Sequence, residues 1–184
     1  MQLTKPMPAI QSEANWVYNN PEHYDNAEHQ RRVARNIRTR HLLAEYKRDP
    51  SSVDVTCTAV VRNVYGEFLI LEHAKTGLWT MAGGAVEPNE KPVDAMRREV
   101  WEELDVCDIE LLNEGLVLAG AITEQCLHFC YEVRLPTQWK NKEPHKHPNI
   151  GYVPKERLHA EYLTESAYLA LVNTVSGTIV AGGL

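Results

Sequence analysis

Three glutamates near the middle of the chain are spaced for joint chemistry. Glu99, Glu102 and Glu103 stand at positions i, i+3 and i+4, a spacing that puts their carboxylates on one side of an α-helix. Like charges this close repel one another, and each tends to raise its neighbours' pKa. A divalent cation relieves that repulsion, because carboxylate oxygens are the ligands that Mg²⁺ and Mn²⁺ prefer. Taken alone, such a cluster also fits a solvated helix face.

The overall charge of the 184-residue chain indicates why a cation would matter. Its 19 Lys and Arg against 25 Asp and Glu give a formal net charge of −6. An acidic protein repels free phosphates and is a poor nucleic-acid coat, so a phosphorylated substrate would need a local counter-charge. The composition, 43% hydrophobic and 24% charged, is that of a globular domain and argues against wholesale disorder.

A helix from about Pro92 to Leu104 is predicted to carry the glutamates. Proline fits its first turn, because the N–H that proline lacks would be unpaired there anyway. Trp101 lies on this helix, and we expect its ring to pack against a sheet or against an N-terminal helix.

The segment from Gly84 to Val106 resembles the signature of the Nudix hydrolase family. That signature reads G, five residues, E, seven residues, R-E-U, one residue, E-E, one residue and G-U, where U is a bulky aliphatic residue. Asp105 alone departs from it, standing where the family has the glycine that ends the helix in a left-handed conformation. Aspartate tolerates that conformation better than most residues. The matching residues are Gly84, Glu90, Arg98, Glu99, Val100, Glu102, Glu103 and Val106.

The resemblance implies a metal site and a reaction. Glu99 and Glu103 would be ligands, Gly83 would lend its backbone carbonyl, and Glu102 would be a ligand or would shape the metal–water network. The cofactor implied is Mg²⁺, with Mn²⁺ as a substitute. The reaction implied is attack by water on a phosphorus of a diphosphate linkage.

The resemblance also implies residues that assist this reaction. Arg98 would orient the glutamates by pairing with Glu90 across the junction between loop and helix. The general base varies within the family between a glutamate of the signature and one on a distant loop. Glu99 and Glu143 are therefore both candidates for the base.

Two regions outside the signature bear on the substrate. Family members with a run similar to N-K-E-P-H-K, which starts here at Asn141, tend to act on nucleoside triphosphates and release pyrophosphate. In that run Lys146 could contact phosphate, as could His145 and His147, although a solvated loop is the alternative. Trp79 could stack on a nucleotide base, although core packing is the alternative.

The remaining elements follow from periodicity and turn signals. Val53–Val61 and Phe68–Glu72 have the composition of strands, and Tyr65-Gly66 between them is compatible with a hairpin. Further strands are predicted at about 107–119, 125–134 and 149–153, and a helix over 162–175.

The resemblance covers about residues 53–170 and implies an α/β/α sandwich around a central mixed sheet. We assign residues 51–184 to the Nudix hydrolase domain and residues 1–50 to an N-terminal arm and helix. The helix, over 26–47, has a basic stretch at 31–48. Such a stretch is usually a solvated face, and a dimerisation surface or an RNA-binding surface are the alternatives.

The compartment is predicted to be cytoplasmic. The chain shows neither the apolar run of a signal peptide nor a membrane span. Its four cysteines form no CxxC pair and are interpreted as buried, reduced thiols, with no zinc site. They are Cys57, Cys107, Cys126 and Cys130.

Together these observations predict a Mg²⁺-dependent pyrophosphohydrolase with a small-molecule nucleotide substrate. A nucleoside triphosphate, cleaved to the monophosphate and pyrophosphate, is the preferred substrate, and nucleotide sugars or dinucleotides are the alternatives. A non-catalytic module that senses a nucleotide is a further alternative. Non-catalytic relatives usually lose glutamates of the signature, whereas this chain keeps all three.

Overall fold

The computed structural model describes residues 26–112, 115–119, 125–135 and 138–175. The expected N-terminal arm, residues 1–25, and the small-residue tail after residue 175 lie outside these ranges. The described helices and strands are α1 (Asn26–Arg48), β1 (Asp54–Val61), β2 (Phe68–Glu72), β3 (Trp79–Thr80), β4 (Gly83–Ala85), α2 (Pro92–Leu104), β5 (Glu110–Leu111), β6 (Leu116–Ala119), β7 (Cys126–Arg134), β8 (Ile150–Val153) and α3 (Glu165–Val175).

Strand β1 lies at the centre of a mixed sheet. It pairs in parallel with β7 along its whole length, from Asp54 opposite Cys126 to Val61 opposite Val133. Its other edge pairs antiparallel with the short strand β4, which places Gly83 opposite Thr58. Strands β5 and β6 both pair antiparallel with β7, and a second sheet has the order β3-β2-β8.

The expected hairpin between β1 and β2 is wrong as a continuous ladder. Only Arg62 and Phe68 bridge the two strands, and beyond that point they enter different sheets. The physical reason is that β4 and β7 already occupy both edges of β1, so no edge remains for β2. The expected strand at 107–119 is likewise divided into β5 and β6. Gly115 between them has φ +95°, and a Cβ there would lie 2.6 Å from the Tyr131 ring.

Helices cover both faces of the mixed sheet, because side chains of β1 alternate between two cores. Cys57 lies in the first core, together with Leu42 of α1 and Met96 of α2. Val60 lies in the second core, together with Ala170 of α3. The fold is therefore the expected α/β/α sandwich, with α1 and α2 on one face and α3 on the other.

Helix α1 belongs to the first core, although it precedes the region of family resemblance. Leu42 is fully buried, and the Tyr46 ring lies 6.0 Å from the Phe129 ring between centroids. Arg40 and Lys47 of the basic stretch are exposed to solvent.

Helix α2 begins and ends at the predicted residues. Asp105 adopts the left-handed conformation, with φ 59° and ψ 36°, and its N–H donates to the Trp101 carbonyl, so the cap geometry survives the replacement of glycine. The expectation for Trp101 is wrong. Its side chain is 45% exposed, because the helix turns Met96, Val100 and Leu104 to the core and Trp101 lies outside that stripe. Lys142 Nζ lies 3.7 Å above the ring.

Three of the four cysteines are buried free thiols, as expected, whereas Cys107 is exposed. Burial raises the pKa of the Cys57 thiol to about 12. In the part of the chain that the structure describes, no helix is long and apolar enough to cross a membrane.

The burial of Leu42 predicts that α1 stabilises the whole domain. Leu42→Ala should lower the free energy of unfolding by about 2–5 kcal/mol, through lost transfer energy and the cavity left behind. Ile37→Ala is the matched control, because Ile37 lies on the same helix and is 64% exposed. Urea denaturation measures both, and equal losses in the two variants would contradict the packing described.

A buried histidine predicts a pH dependence of stability. His128 of β7 is 2% exposed, and its Nδ1 lies 2.7 Å from Thr56 Oγ1, while burial lowers its pKa from 6.5 to about 4. The unfolded chain therefore binds a proton at higher pH than the folded one. About 3 kcal/mol of stability, fully present above pH 6.5, is expected to be lost as the pH falls towards 4.

The check is the fall in Tm from pH 7.5 to pH 4.5 in wild type and in His128→Asn. The asparagine keeps a polar atom for Thr56 but cannot titrate, so its Tm should fall less. His145→Asn, at an exposed loop position, serves as the control and should keep the wild-type fall. If the Tm of His128→Asn falls as much as that of wild type, His128 is not the source of the pH dependence.

Candidate active site

Two glycines allow β4 to approach both the sheet and helix α2. A Cβ on Gly83 would overlap the Cys57 carbonyl and lie 2.8 Å from Thr58 Cα. A Cβ on Gly84 would lie 2.6 Å from the carboxyl carbon of Glu99. Close backbone approach, which only glycine permits, therefore brings the first glutamate of the site against β4.

Arg98 is the centre of a hydrogen-bonded network in this region. Its Nε and Nη2 bind the two carboxylate oxygens of Glu90 at 3.0 and 3.1 Å, the pairing that the family resemblance implies. Its Nη1 donates to Glu99 at 2.8 Å and to Glu102 at 3.2 Å. Nη2 also donates to the Ala85 carbonyl at 3.0 Å. One guanidinium thus ties the loop before α2 to two glutamates on the helix.

Burial dominates the electrostatics of Glu99. The residue is 8% exposed, and this desolvation raises the pKa of its carboxyl. Arg98 acts in the opposite direction, and the charge of Glu103 adds a smaller upward contribution. The sequence pointed to repulsion among the glutamates, but loss of solvent is the larger effect here, and Arg98 offsets only part of it.

Glu103 is the most deeply buried of the three glutamates, at 1% exposed. Its Oε1 lies 3.0 Å from Lys146 Nζ and 3.0 Å from His147 Nε2, and its Oε2 accepts the Gly83 N–H at 3.2 Å. Lys146 Nζ also donates to Glu143 Oε2 at 3.0 Å. Burial lowers the pKa of Lys146, but the hydrogen bonds to the two glutamates outweigh it and raise that pKa above its usual value.

The loop at 138–149 is fastened to the end of α2. The backbone N–H groups of Lys140 and Lys142 donate to the carbonyls of Leu104 and Glu103, at 2.9 and 3.0 Å. These bonds satisfy carbonyls that a helix end leaves unpaired. The loop therefore reaches Glu103 from the carboxyl end of the same helix.

Strand β2 and the chain after it hold the other side of the loop. The Ala74 N–H donates to the Lys146 carbonyl at 2.9 Å, and His147 Nδ1 donates to the Glu72 carbonyl at 3.2 Å. His147 is 2% exposed, so its ring is fixed beside Glu103. From the sequence, His147 was a candidate for phosphate contact, with a solvated loop as the alternative. Its spacing of four from Glu143, on one turn of chain, was the signal that it faces the same carboxylates.

The donor set fits a divalent cation. Glu103, Glu143 and His147 each offer one ligand atom, and these atoms all lie within 4.8 Å of one another. Carboxylate oxygens suit Mg²⁺ and Mn²⁺, and an imidazole nitrogen is compatible with Mn²⁺. Glu99 and Glu102 lie on the same helix, held by Arg98.

The structure brings most of the candidate residues into two hydrogen-bonded clusters on α2, one around Arg98 and one around Glu103, and leaves Trp79 outside both. Trp79 is 7% exposed and packs in the second core, which favours the alternative of core packing over base stacking. The joined residues are Gly83, Arg98, Glu99, Glu102, Glu103, Glu143 and Lys146.

A cavity of about 910 Å³ lies beside the loop between β4 and α2. It reaches Glu90 but not Glu103, and its wall includes Tyr46 and Lys91. Four carboxyl groups line it against one lysine, so its charge disfavours the phosphates of a substrate. Those four residues are Asp49, Asp54, Glu87 and Glu90.

Comparison with known proteins identifies the family. A family model described as the NUDIX domain matches residues 53–171. The chain belongs to the NUDIX family. It is 43% identical over 37 residues to an RNA pyrophosphohydrolase of Bartonella henselae, a match that covers 20% of this chain and 21% of that protein. It is 35% identical over 57 residues to a MutT-like protein of Streptomyces ambofaciens, covering 31% and 37% of the two chains. The chain thus matches well under half the length of either relative.

Solved structures share the NUDIX fold. A MutT NUDIX hydrolase from Burkholderia pseudomallei superposes with a TM-score of 0.52 at 24% identity, covering 65% of this chain and 95% of that one. An Ap4A hydrolase from C. elegans gives a TM-score of 0.51 at 22% identity, covering 66% and 96%. A NUDIX hydrolase from Nitrosomonas europaea gives 0.57 at 15% identity, covering 69% and 72%.

The hydrogen bonds of Arg98 predict that replacing it destabilises the fold much more than replacing its neighbour Arg97. Arg98→Met should lower the free energy of unfolding by about 3 kcal/mol, because the buried Glu99 carboxylate loses its cation. Arg97→Met should cost less than about 1 kcal/mol, since the Arg97 bond to the Ile109 carbonyl is long, at 3.4 Å. Chemical denaturation compares the two, and a smaller loss for Arg98→Met than for Arg97→Met would refute the network's role.

Proposed function

We propose that this NUDIX protein is a Mg²⁺-dependent pyrophosphohydrolase that cleaves nucleoside triphosphates to monophosphates and pyrophosphate. The observation that carries the proposal is the convergence on Glu103. A backbone N–H of β4, an ammonium and an imidazole surround this buried carboxylate at the end of the signature helix. Such a carboxylate, beside further glutamates, is suited to cation and phosphate chemistry.

The cation would be held by Glu103 with Glu99, Glu102 and the Gly83 carbonyl, as the family resemblance implies. Mn²⁺ would serve as a substitute. A cation held there would supply a lowered pKa for the attacking water and positive charge opposite the bridging phosphates.

Glu143 is our preferred general base over Glu99. The Glu99 side chain is 10% exposed and binds Arg98, whereas the Glu143 side chain is 30% exposed. A base must contact the water whose proton it accepts, and Glu143 has the better access. Arg98 acts as a positioning residue, because it fixes the two carboxylates that it binds.

Lys146 is our candidate for contact with the substrate's phosphates. Its side chain is 41% exposed while its charge lies beside the glutamates. The preference for nucleoside triphosphates rests on the resemblance of the run from Asn141 to Lys146 to that of family members with this activity. Nucleotide sugars and dinucleotides share the same diphosphate linkage and remain the alternatives.

A second candidate substrate is the 5′ end of an RNA. One relative is named as an RNA pyrophosphohydrolase, and the basic stretch of α1 exposes Arg40, Lys47 and Arg48. Binding through such residues would weaken steeply with salt. A triphosphorylated oligoribonucleotide whose binding is insensitive to salt would remove this candidate.

A substrate panel tests the proposal directly. Purified protein is incubated with nucleoside triphosphates, nucleotide sugars, dinucleoside polyphosphates and 5′-triphosphorylated RNA, with Mg²⁺ or with a chelator. Pyrophosphate release from triphosphates that requires Mg²⁺ is expected. Stabilisation by a nucleotide without turnover of any substrate would instead identify a sensing module.

Glu103→Gln should reduce turnover by about 10³-fold or more, because the buried site loses the charge that holds the cation. Glu110→Gln is the control, since Glu110 is an exposed residue paired with Arg134 on β7. Steady-state kinetics with Mg²⁺ give both rates. Equal rates for Glu103→Gln and wild type would rule out the role assigned to Glu103.

A further inference from the structure

The charge of Lys146 lies where a cation at the carboxylates would lie. Its Nζ is 3.0 Å from Glu103 Oε1 and 3.0 Å from Glu143 Oε2. Glu103 and Glu143, with His147, are also the residues whose ligand atoms fit a metal ion. An ammonium and a divalent cation at the same oxygens would compete for the same lone pairs and repel each other.

We propose that Lys146 is an exchangeable counter-ion, which neutralises Glu103 and Glu143 until a divalent cation takes its place and then turns to the substrate's phosphate. This inference rests on the proposed function, because it assumes that the carboxylates bind a metal. It adds that one side chain couples metal binding to phosphate binding.

The contacts of Lys146 allow its side chain to move while its backbone stays. Its N–H donates to the Glu143 carbonyl and its carbonyl accepts from the Ala74 N–H, both at 2.9 Å. The side chain is 41% exposed, and a lysine stem carries its charge on several rotatable bonds. His147, the other partner of Glu103 Oε1, is 2% exposed with both ring nitrogens engaged. Lys146 is therefore the partner that can leave.

Exchange has two consequences for the site. Lys146, when held by two carboxylates, is a poor ligand for phosphate, and its release makes it a good one. Its release also removes the ammonium from Glu143 Oε2, which it holds at 3.0 Å. Metal and phosphate should therefore each raise the other's affinity, because coupling of this kind is reciprocal.

The first test measures metal binding alone. Mn²⁺ affinity is determined by titration followed by electron paramagnetic resonance, in wild type and in Lys146→Met. The variant should bind Mn²⁺ about tenfold more tightly, because a charge-assisted hydrogen bond no longer competes. Lys140→Met, which removes the same charge at an exposed position of the same loop, should stay within about twofold of wild type.

The second test measures phosphate binding at saturating Mg²⁺. The probe is methylenediphosphonate, whose P–C–P bridge cannot be hydrolysed, and calorimetry gives its affinity. Lys146→Met should bind it about tenfold more weakly than wild type, since the released ammonium is missing. Tighter Mn²⁺ binding together with weaker diphosphonate binding in Lys146→Met supports the exchange. Unchanged Mn²⁺ affinity would leave Lys146 as a phosphate ligand only and overturn it, and weaker binding of both ligands would also overturn it.

Two further variants at position 146 serve as controls. Lys146→Arg keeps the charge and should bind Mn²⁺ no more tightly than wild type. Tighter Mn²⁺ binding by both Lys146→Arg and Lys146→Met would therefore overturn the exchange. Lys146→Gln keeps a hydrogen-bond donor without charge, and it replaces Lys146→Met, with the same expected results, should that variant not fold. Glu103→Gln separates the two proposals. If Glu103→Gln loses Mn²⁺ binding while Lys146→Met binds Mn²⁺ as wild type does, only the proposed exchange is contradicted. If Glu103→Gln binds Mn²⁺ as wild type does, the proposed metal site itself is contradicted.

Discussion

The site depends on a carboxylate that has been taken out of water. Glu103 is 1% exposed, and a buried carboxylate is costly unless it is fully hydrogen-bonded. Its partners come from two separate parts of the chain: β4 supplies a backbone N–H, and the turn after Glu143 supplies Lys146 and His147. The sheet, the signature helix and the loop at 138–149 must therefore all be in place before this charge is tolerated.

The other glutamates of the acidic cluster are also neutralised by a neighbouring cationic side chain, which here is Arg98. Arg98 binds Glu90, Glu99 and Glu102 at once, so the charge that burial makes costly is matched within the helix and the loop before it. Gly84 leaves the space that the Glu99 carboxylate occupies. The two halves of the site thus have different characters. The Arg98 half is rigid and internally paired, whereas the Glu103 half contains a cation on a flexible side chain.

The sequence predicted the parts of this structure that depend on local spacing. Helix α2 follows from proline position and residue order, whereas its left-handed end at Asp105 and the pair of Arg98 with Glu90 were implied by the resemblance to the family signature. What depends on distant partners was missed. Lys142, forty-one positions away, lies over the exposed ring of Trp101, and the separation of β1 from β2 results from β4 and β7 taking both edges of β1. His147 was only a candidate for phosphate contact, because its spacing from Glu143 does not show that the loop folds back onto Glu103.

The central claim is that Glu103 and its neighbouring carboxylates form the cation site of this NUDIX domain. The most direct measurement is anomalous X-ray scattering at the manganese edge from crystals grown with Mn²⁺ and methylenediphosphonate. The account predicts a strong manganese peak in contact with Glu103, with the diphosphonate beside it. Manganese bound elsewhere, with the Glu103 carboxylate still enclosed by Lys146 and His147, would contradict it.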